Sequence, residues 1–268
     1  MVNRRSILLA GAALPLTGAL LPGCATVSET GRSQLLLISP AQEAQLGLQT
    51  FDQIKRETPV SRDRAQTEMV RRVGQRIAAV VPMPEARWEF VLFDVPDTPN
   101  AFALPGGKVG IYSGILPITK NEAGLATVIA HEIGHISARH GAERLSQGLL
   151  VQMGGIALST ALGSQPGATR DLVMQAYGVG AQVGVLLPYS RTQEFEADEL
   201  GLLYMARAGY DPREALAFWR RFQDHNRERP GRTLEYLSTH PLDERRIANL
   251  ERLMPRALTE YEMARARR

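Results

Sequence analysis

The chain has 268 residues, of which 44% are hydrophobic and 22% charged, so it is long and apolar enough to bury a core and is not a disordered chain. Its formal net charge is +3, without a basic stripe, which argues against a nucleic-acid-binding protein. A single cysteine, Cys24, excludes a disulfide framework within one chain and a cysteine-rich zinc finger.

The start of the chain has the pattern of an export signal. Arg4 and Arg5 provide positive charge, and residues 7–21 are uncharged and apolar. This apolar stretch is short for a membrane-spanning helix, which needs about 20 residues, but it fits the hydrophobic region of a signal peptide. The two arginines also fit a twin-arginine signal, so the pattern leaves both export routes open.

The LPGC sequence that ends at Cys24 resembles a bacterial lipobox, whose cysteine receives the lipid. We therefore predict a signal peptide at 1–23, a lipid-anchored tether at 24–38 and a single domain at 39–268. Ala25 predicts sorting to the outer membrane, so the expected location is periplasmic and lipid-anchored at the outer membrane. The alternative is an ordinary signal peptide, with Cys24 a buried apolar residue.

In the first half of the predicted domain, helices come before and after a small sheet in the order of the chain. Helical spacing of apolar residues, alternating residues and glycine turns distinguish the elements. The expected elements are a helix from Ser39-Pro40, a second helix up to Pro82, a strand from Trp88, a hairpin of 101–104 with 109–111, and a helix with a capping box at Thr119.

The second half is mainly helical. Residues 148–188 are almost uncharged, but glutamines and glycines dilute their hydrophobicity, so we expect a lid or a partner-binding surface and not a transmembrane hairpin. Further helices are expected from Ser190 to about Gly209, from Asp211 onward, and from about Leu242 to Met254. The whole pattern predicts one α+β domain, mainly helical.

The strongest motif in the chain is His131-Glu132-Ile133-Gly134-His135. Residues four apart on a helix share a face, so both imidazoles point the same way and can bind zinc. Glu132 lies next to that face and can take a proton from a water molecule that the metal activates. The alternative is a helix with two surface histidines, but the preceding turns are largely apolar.

A hydrolytic zinc site needs a third protein ligand. Glu194 and Asp198 are four residues apart on a predicted helix, so Glu194 can bind the metal while Asp198 orients a ligand histidine through its other ring nitrogen. Glu196 points about 200° away from Glu194 and is the weaker candidate. Taken alone, this acidic stretch is more typical of a solvated helix face.

Four sequence patches occur in order over about residues 40–254. They are residues 100–107 (NAFALPGG), the HEIGH motif with Arg139-His140 after it, Ser190-Arg191 with Glu194 and Ala197-Asp198, and residues 238–241 (STHP) with Arg246-Ile247. In this combination the chain resembles the zinc metallopeptidase family of HtpX and the CAAX prenyl proteases. It is most similar to the soluble periplasmic branch typified by BepA and LoiP, and to the mitochondrial inner-membrane relatives.

The resemblance implies a gluzincin, zincin-type metallopeptidase fold with one Zn²⁺ per chain. It implies His131, His135 and Glu194 as zinc ligands and Glu132 as general base. It also implies that an edge strand at residues 109–112 lines the cleft and pairs with substrate backbone. The sequence has no counterpart of the repeat domain of BepA. It also has no convincing counterpart of the two hydrophobic hairpins of HtpX.

The other histidines and the search for nucleophile motifs add no further candidate for the active site. His140 lies about 140° around the helix from His135, so it cannot share the same metal and is expected to be structural. His225 lies in a charged stretch and is expected at the surface. A GxSxG motif and a phosphate-binding glycine loop do not occur in the sequence.

We therefore expect a zinc endopeptidase of the cell envelope that cleaves unfolded or misassembled envelope proteins in quality control, with outer-membrane assembly machinery as a further partner. Two alternatives remain. One is a chaperone-like assembly factor with latent or minor protease activity, which holds clients on the apolar surface at 148–188. The other is a structural zinc domain, which needs a closed site of four ligands.

His240 is the remaining candidate near the metal. It can stabilise the oxyanion of the tetrahedral intermediate, or it can bind zinc as a fourth ligand and hold the protease inactive, as the BepA-like relatives imply. The alternative is a place next to a helix start, with Pro241 at the first helical position. We list His240 with Glu132 as a catalytic candidate.

Overall fold

The computed structural model describes residues 23–165, 187–228 and 244–267, together with residues 167, 171, 173–175, 236 and 240. In this part of the chain the strands are β1 (Cys24–Thr26), β2 (Ser33–Leu35), β3 (Glu89–Phe93), β4 (Ala101–Leu104) and β5 (Lys108–Tyr112). The helices are α1 (Pro40–Glu57), α2 (Arg64–Ala78), α3 (Leu116–Thr119), α4 (Glu122–Ser137), α5 (His140–Ala161), α6 (Leu187–Arg207), α7 (Arg213–Arg227) and α8 (Glu244–Ala266). The mainly helical α+β class is confirmed.

Two predicted segments fall partly outside this description. The predicted signal peptide lies outside the described residues except for Gly23, and so do residues 166, 168–170, 172 and 176–186 of the expected lid. Within the described residues, no helix combines the length and the apolar character that crossing a membrane requires.

The first two helices both begin at a capping side chain, and for α1 this is the predicted start. Ser39 caps α1 through a capping box with Gln42, and Pro40 occupies the first turn, where a missing N–H costs nothing. Asp63 caps α2 by accepting a hydrogen bond from the backbone N–H of Gln66 at 3.0 Å. Local capping chemistry therefore determines where both helices start.

The main sheet has the strand order β3-β5-β4, with β3 parallel and β4 antiparallel to β5. Gly106 and Gly107 form the β4–β5 turn at φ values of 82° and 88°, which favour glycine. The expectation of an edge strand at residues 109–112 is wrong, because β3 pairs with the side of β5 that β4 leaves open. The strands at the two edges of the sheet are β3 and β4, and β4 is the edge strand of the β4–β5 hairpin.

Helix α4 is the central helix of the domain, with every residue from 124 to 136 buried. Its cap is Asn121, whose side chain accepts a hydrogen bond from the backbone N–H of Gly124 at 2.8 Å. The predicted capping box at Thr119 is wrong, because that residue ends α3 and its hydroxyl donates to the carbonyl of Leu116. Helix α6 packs along α4, and α8 packs on α6.

The N-terminal residues lie against the domain. Strands β1 and β2 form an antiparallel hairpin. Val27 and Leu36 are buried, and Arg32 forms ion pairs with side chains of α5 and α6. Residues 24–38, which we expected to be a tether, thus pack on the domain in the structure, while Cys24 is exposed.

Three more helix boundaries differ from the predicted ones. Helix α2 ends at Ala78 and not at Pro82. Helix α6 begins before Ser190, so the predicted capping box there is wrong, and Gln193 instead donates to Glu143 at 2.8 Å. The predicted start of α8 at about Leu242 lies outside the described residues; α8 is described from Glu244 and continues past Met254 to Ala266, with Pro255 inside it. Buried apolar residues on both sides of this proline keep the second half of α8 packed.

Candidate metal centre

His131 and His135 lie one turn apart on the buried helix α4, so their rings share a face. Their Nε2 atoms are 3.2 Å apart and the ring planes are nearly perpendicular, at 81°. Both rings are buried. The predicted pair therefore presents two nitrogen donors to one point.

Two further side chains complete the cluster. Glu194 of α6 places Oε2 3.3 Å from His131 Nε2 and Oε1 3.4 Å from His135 Nε2. His240 places Nδ1 3.3 Å from His131 Nε2 and 3.1 Å from both carboxylate oxygens of Glu194. All four residues are buried, and one donor atom from each lies within 4.8 Å of the others.

The spacing of these donors fits a four-coordinate metal ion. Zinc binds nitrogen and oxygen at about 2.0–2.1 Å in a tetrahedron, whose ligands are then about 3.3–3.4 Å apart. The contacts between donors are 3.1–3.4 Å. Three neutral imidazoles and one carboxylate are also a chemically suitable donor set. The residues present therefore fit a bound metal.

A carboxylate holds the far side of the His131 ring. The Nδ1 atom of His131 lies 3.0 Å from Oδ1 of Asp198, which is the contact that the sequence predicts. Arg246 donates two hydrogen bonds to Asp198, from Nε to Oδ2 at 2.7 Å and from Nη2 to Oδ1 at 2.8 Å. Its guanidinium lies 4.6 Å from the centre of the Trp219 ring. In the sequence, Arg246 stands only in the last of the four patches, and no role is predicted for it.

The far side of His135 faces another histidine. His140 Nδ1 lies 2.8 Å from His135 Nδ1, and His140 Nε2 lies 2.9 Å from Glu196 Oε2. Neither His140 nor Glu196 belongs to the donor cluster. This arrangement agrees with the structural role expected for His140, and it gives Glu196 a role that helix spacing alone does not predict.

Glu132 lies beside the donor cluster. It is buried, and its Oε1 is 3.5 Å from His240 Nε2. The hydroxyl of Tyr236 donates to the same oxygen at 3.1 Å. Sequence reasoning missed Tyr236, whose one available indication is its position four residues before His240, joined by a backbone hydrogen bond. His225, on α7, is not part of the cluster.

The pKa values of the site follow from burial and charge. Burial lowers the pKa of His131, but hydrogen bonds with Asp198 and Glu194 outweigh it and raise the pKa to about 9. Burial holds the pKa of His135 well below its ordinary value despite Glu194. Burial would raise the pKa of Glu194, but its interactions with the surrounding histidine rings hold it well below its ordinary range. The carboxylate is thus ionised, as a metal ligand must be.

A cavity of about 180 Å³ opens beside the cluster, with His135 in its lining. Its walls are mostly apolar and come from α1, the loop before β3, the β4–β5 hairpin and the start of α5. The apolar lining includes Ala44, Met83, Ala103 and Ile136, and charged side chains such as Arg144 add to it. The cavity joins the edge strand to the donor cluster.

Metallopeptidases with the H-E-x-x-H motif have two metal-binding histidines one turn apart on a helix and use the glutamate between them as general base. His131, Glu132 and His135 have this arrangement, and Glu194 adds a donor from a second helix. Fold and site place this domain in the class of metallopeptidases. The chain belongs to peptidase family M48, whose model matches residues 64–254, and this match confirms the resemblance.

Similar proteins come from fungi and bacteria. The chain is 41% identical over 196 residues to the mitochondrial metalloendopeptidase OMA1 of Schizosaccharomyces pombe, covering 73% of this chain and 55% of the relative. It is 40% identical over 182 residues to the same-named Saccharomyces cerevisiae protein, covering 66% and 50%. It is 31% identical over 239 residues to the beta-barrel assembly-enhancing protease of Yersinia pestis, covering 87% and 48%. The chain thus spans about half the length of these relatives.

These relatives correct the expected location. The two yeast proteins, which have higher identity than the Yersinia protein, are mitochondrial by name. The expected periplasmic, lipid-anchored location at the outer membrane is therefore wrong. The signal peptide at 1–23 and lipid attachment at Cys24 remain untested predictions.

Proposed function

We propose that the chain is a zinc-dependent endopeptidase that cleaves unfolded or misassembled proteins, with His131, His135 and Glu194 as zinc ligands and Glu132 as general base. The observation that supports this proposal is the convergence of buried donors, at tetrahedral spacing, beside a buried carboxylate. A structural zinc domain needs no carboxylate there.

Each side chain has a task in peptide hydrolysis. When bound, zinc supplies Lewis-acid activation of a water molecule and of the scissile carbonyl. Glu132 takes the proton of the attacking water and passes it to the leaving nitrogen. Tyr236 donates to Oε1 of Glu132, which leaves Oε2 free to accept the proton. Asp198 holds His131 in the tautomer whose Nε2 faces the metal.

The edge strand β4 is the proposed binding site for substrate backbone. Asn100 accepts a backbone hydrogen bond from Tyr112 at 2.9 Å, so strand alternation turns the N–H and C=O groups of Ala103 away from β5. An extended chain can pair with those groups by β-augmentation, which reads backbone and not sequence. This mode requires an unfolded substrate.

The cavity beside His135 is the proposed site for one substrate side chain. Because its walls are mainly apolar, we expect it to receive an apolar side chain near the scissile bond. Ala103 lines this cavity and also lies on the edge strand, so backbone pairing and side-chain recognition occur together.

His240 supports a latent resting state. With its Nδ1 among the other donors, four protein groups surround the metal position, whereas catalysis needs an open position. A chaperone-like factor with minor protease activity is the second candidate that this closed arrangement favours. In the proposed endopeptidase, substrate binding displaces His240 from the metal position and admits water.

The variant Glu132→Gln tests the proposed function. It keeps the size of the side chain but removes the base, so casein cleavage should fall about 10²–10⁴-fold while bound zinc is retained. Glu122→Gln, at the exposed start of the same helix, is the control and should cleave as wild type does. Mass spectrometry of the fragments should show apolar residues enriched at one position next to the cleaved bonds.

Two results would overturn the proposal. One is unchanged casein cleavage by Glu132→Gln. The other is a wild-type protein that contains zinc but cleaves no unfolded substrate, even after removal of the His240 side chain, since a chaperone-like role would then be favoured.

A further inference from the structure

The N-terminal hairpin reaches the metal centre through one arginine, Arg32. Its Nε lies 2.6 Å from Oε2 of Glu196, and its Nη1 and Nη2 lie 2.7 and 2.8 Å from the two carboxylate oxygens of Glu143. Thr30 of the same hairpin donates to the other oxygen of Glu196. All these contacts start from residues before position 64, where the family match begins.

Glu196 connects this arginine to a metal ligand. Its Oε2 also lies 2.9 Å from Nε2 of His140, whose Nδ1 lies 2.8 Å from Nδ1 of His135. The ring of His140 is completely buried, and Glu196 and Glu143 are nearly so. Solvent therefore does not interrupt this series of contacts, which runs from Arg32 to His135.

The direction of each hydrogen bond in the series is fixed by the metal site. His135 must keep Nε2 unprotonated to bind a metal, so its proton is on Nδ1 and is donated to His140 Nδ1. His140 then has its proton on Nε2 and donates it to Glu196. The carboxylate of Glu196 accepts, and Arg32 and Thr30 hold that carboxylate in place.

We propose that Arg32 is a positioning residue, which fixes the ring orientation and tautomer of His135 through Glu196 and His140. The inference rests on the proposed metal site. It gives His135 the same kind of support that Asp198 and Arg246 give His131, except that the support comes from the N-terminal hairpin.

Arginine suits this position for a physical reason. Its planar fork reaches two carboxylates at once, which a single ammonium group cannot do with the same geometry. Without it, Glu143 and Glu196 are buried with less compensating charge, and Glu196 is free to turn away from His140. The ring of His135 then loses the partner that sets its tautomer.

The test compares zinc affinity and Co²⁺ spectra of full-length variants. Arg32→Gln should bind zinc about tenfold more weakly, as measured by competition with a chelator. A residue that contacts a ligand histidine directly contributes about 10–100-fold to metal affinity, and Arg32 acts on His135 only through Glu196 and His140. The visible spectrum of the Co²⁺-loaded protein should also change, because the spectrum reports ligand geometry. A general loss of stability would leave that spectrum unchanged.

Glu29→Gln is the matched control. Glu29 lies on the same hairpin and pairs with Arg207 of α6 at 2.9 Å, away from His140. It should bind zinc as tightly as wild type and give the same Co²⁺ spectrum. An equal loss in Glu29→Gln would show that hairpin docking alone matters and would overturn the positioning role.

Wild-type affinity and spectrum in Arg32→Gln would also overturn the inference. If Arg32→Gln shows no cooperative thermal unfolding, Glu196→Gln decides: a loss of about tenfold supports the inference and wild-type affinity overturns it. Failure of the wild type to bind zinc would instead overturn the proposed function, so the two failures are distinguishable.

Discussion

At the scale of single residues, the site has a supporting network behind each of the two histidines proposed as ligands. Asp198 and Arg246 hold His131, and His140 with Glu196 holds His135. Helix spacing predicts the contact between Asp198 and His131, because this contact follows from which residues share a face on each of two helices. The tertiary fold alone brings Glu196 to His140, and no periodicity contains that information.

The structure separates the two roles that the sequence leaves open for His240. An oxyanion-stabilising side chain lies beside the metal position, whereas a fourth ligand points a nitrogen at it. Nδ1 of His240 is 3.1–3.3 Å from atoms of Glu194 and His131, at the spacing of the other donors. This geometry favours the fourth ligand.

His240→Ala should therefore increase casein cleavage several-fold, or cause self-cleavage, while zinc stays bound by the other donors. The assay follows kcat/KM together with metal content. His225→Ala, which changes a histidine outside the donor cluster, is the control and should behave as wild type does. A fall in activity with zinc retained would contradict the fourth-ligand role and support oxyanion stabilisation.

At the scale of elements, the site depends on how closely α4 and α6 approach. Gly134 of α4 and Gly201 of α6 lie at the contact: a Cβ on Gly201 would come within 2.9–3.0 Å of backbone atoms of Ala130 and His131. This approach allows Glu194 of α6 to reach the histidines of α4. Since the HEIGH motif shows Gly134 only as a spacer, the sequence does not reveal its packing role.

Gly201→Ala should separate these two helices. The added methyl group meets backbone atoms, so we expect a loss of about 1–3 kcal/mol in stability, measured as the free energy of unfolding in denaturant. Zinc affinity should fall as well, because Glu194 and Asp198 move with α6.

Gly148→Ala in α5 is the control for this change. Among the described residues, no atom outside the helix's own backbone and its chain neighbours lies within 4 Å of an added Cβ at Gly148, and alanine is the better helix former, so stability should rise by about 0.5–1 kcal/mol with zinc affinity unchanged. Wild-type stability and affinity in Gly201→Ala would contradict the proposed role of the close contact.

Helix and strand identities followed from local pattern, while boundaries and sheet order did not. The start of α1 is predicted correctly because capping chemistry is local. Thr119 and Ser190 have capping-box patterns, yet Asn121 caps α4 and α6 begins earlier. Choosing between such nearby signals depends on how the helices pack, which the local pattern does not show.

At the scale of the whole molecule, residues that are far apart in sequence form one buried centre. Two of the ligand candidates lie on α4, one lies on α6 and His240 lies before α8, with the N-terminal hairpin behind them. Motif order along the chain predicts that these segments meet. It does not predict that β4 is an edge strand or that residues 24–38 pack on the domain.

Zinc stoichiometry tests the central claim most directly. Equilibrium dialysis against zinc, followed by metal analysis, should give a single ion per chain for wild type and for His225→Ala, and far less for His131→Ala, which loses a donor and the contact with Asp198. A wild-type chain without bound metal, or a His131→Ala chain that keeps a full equivalent, would contradict the account.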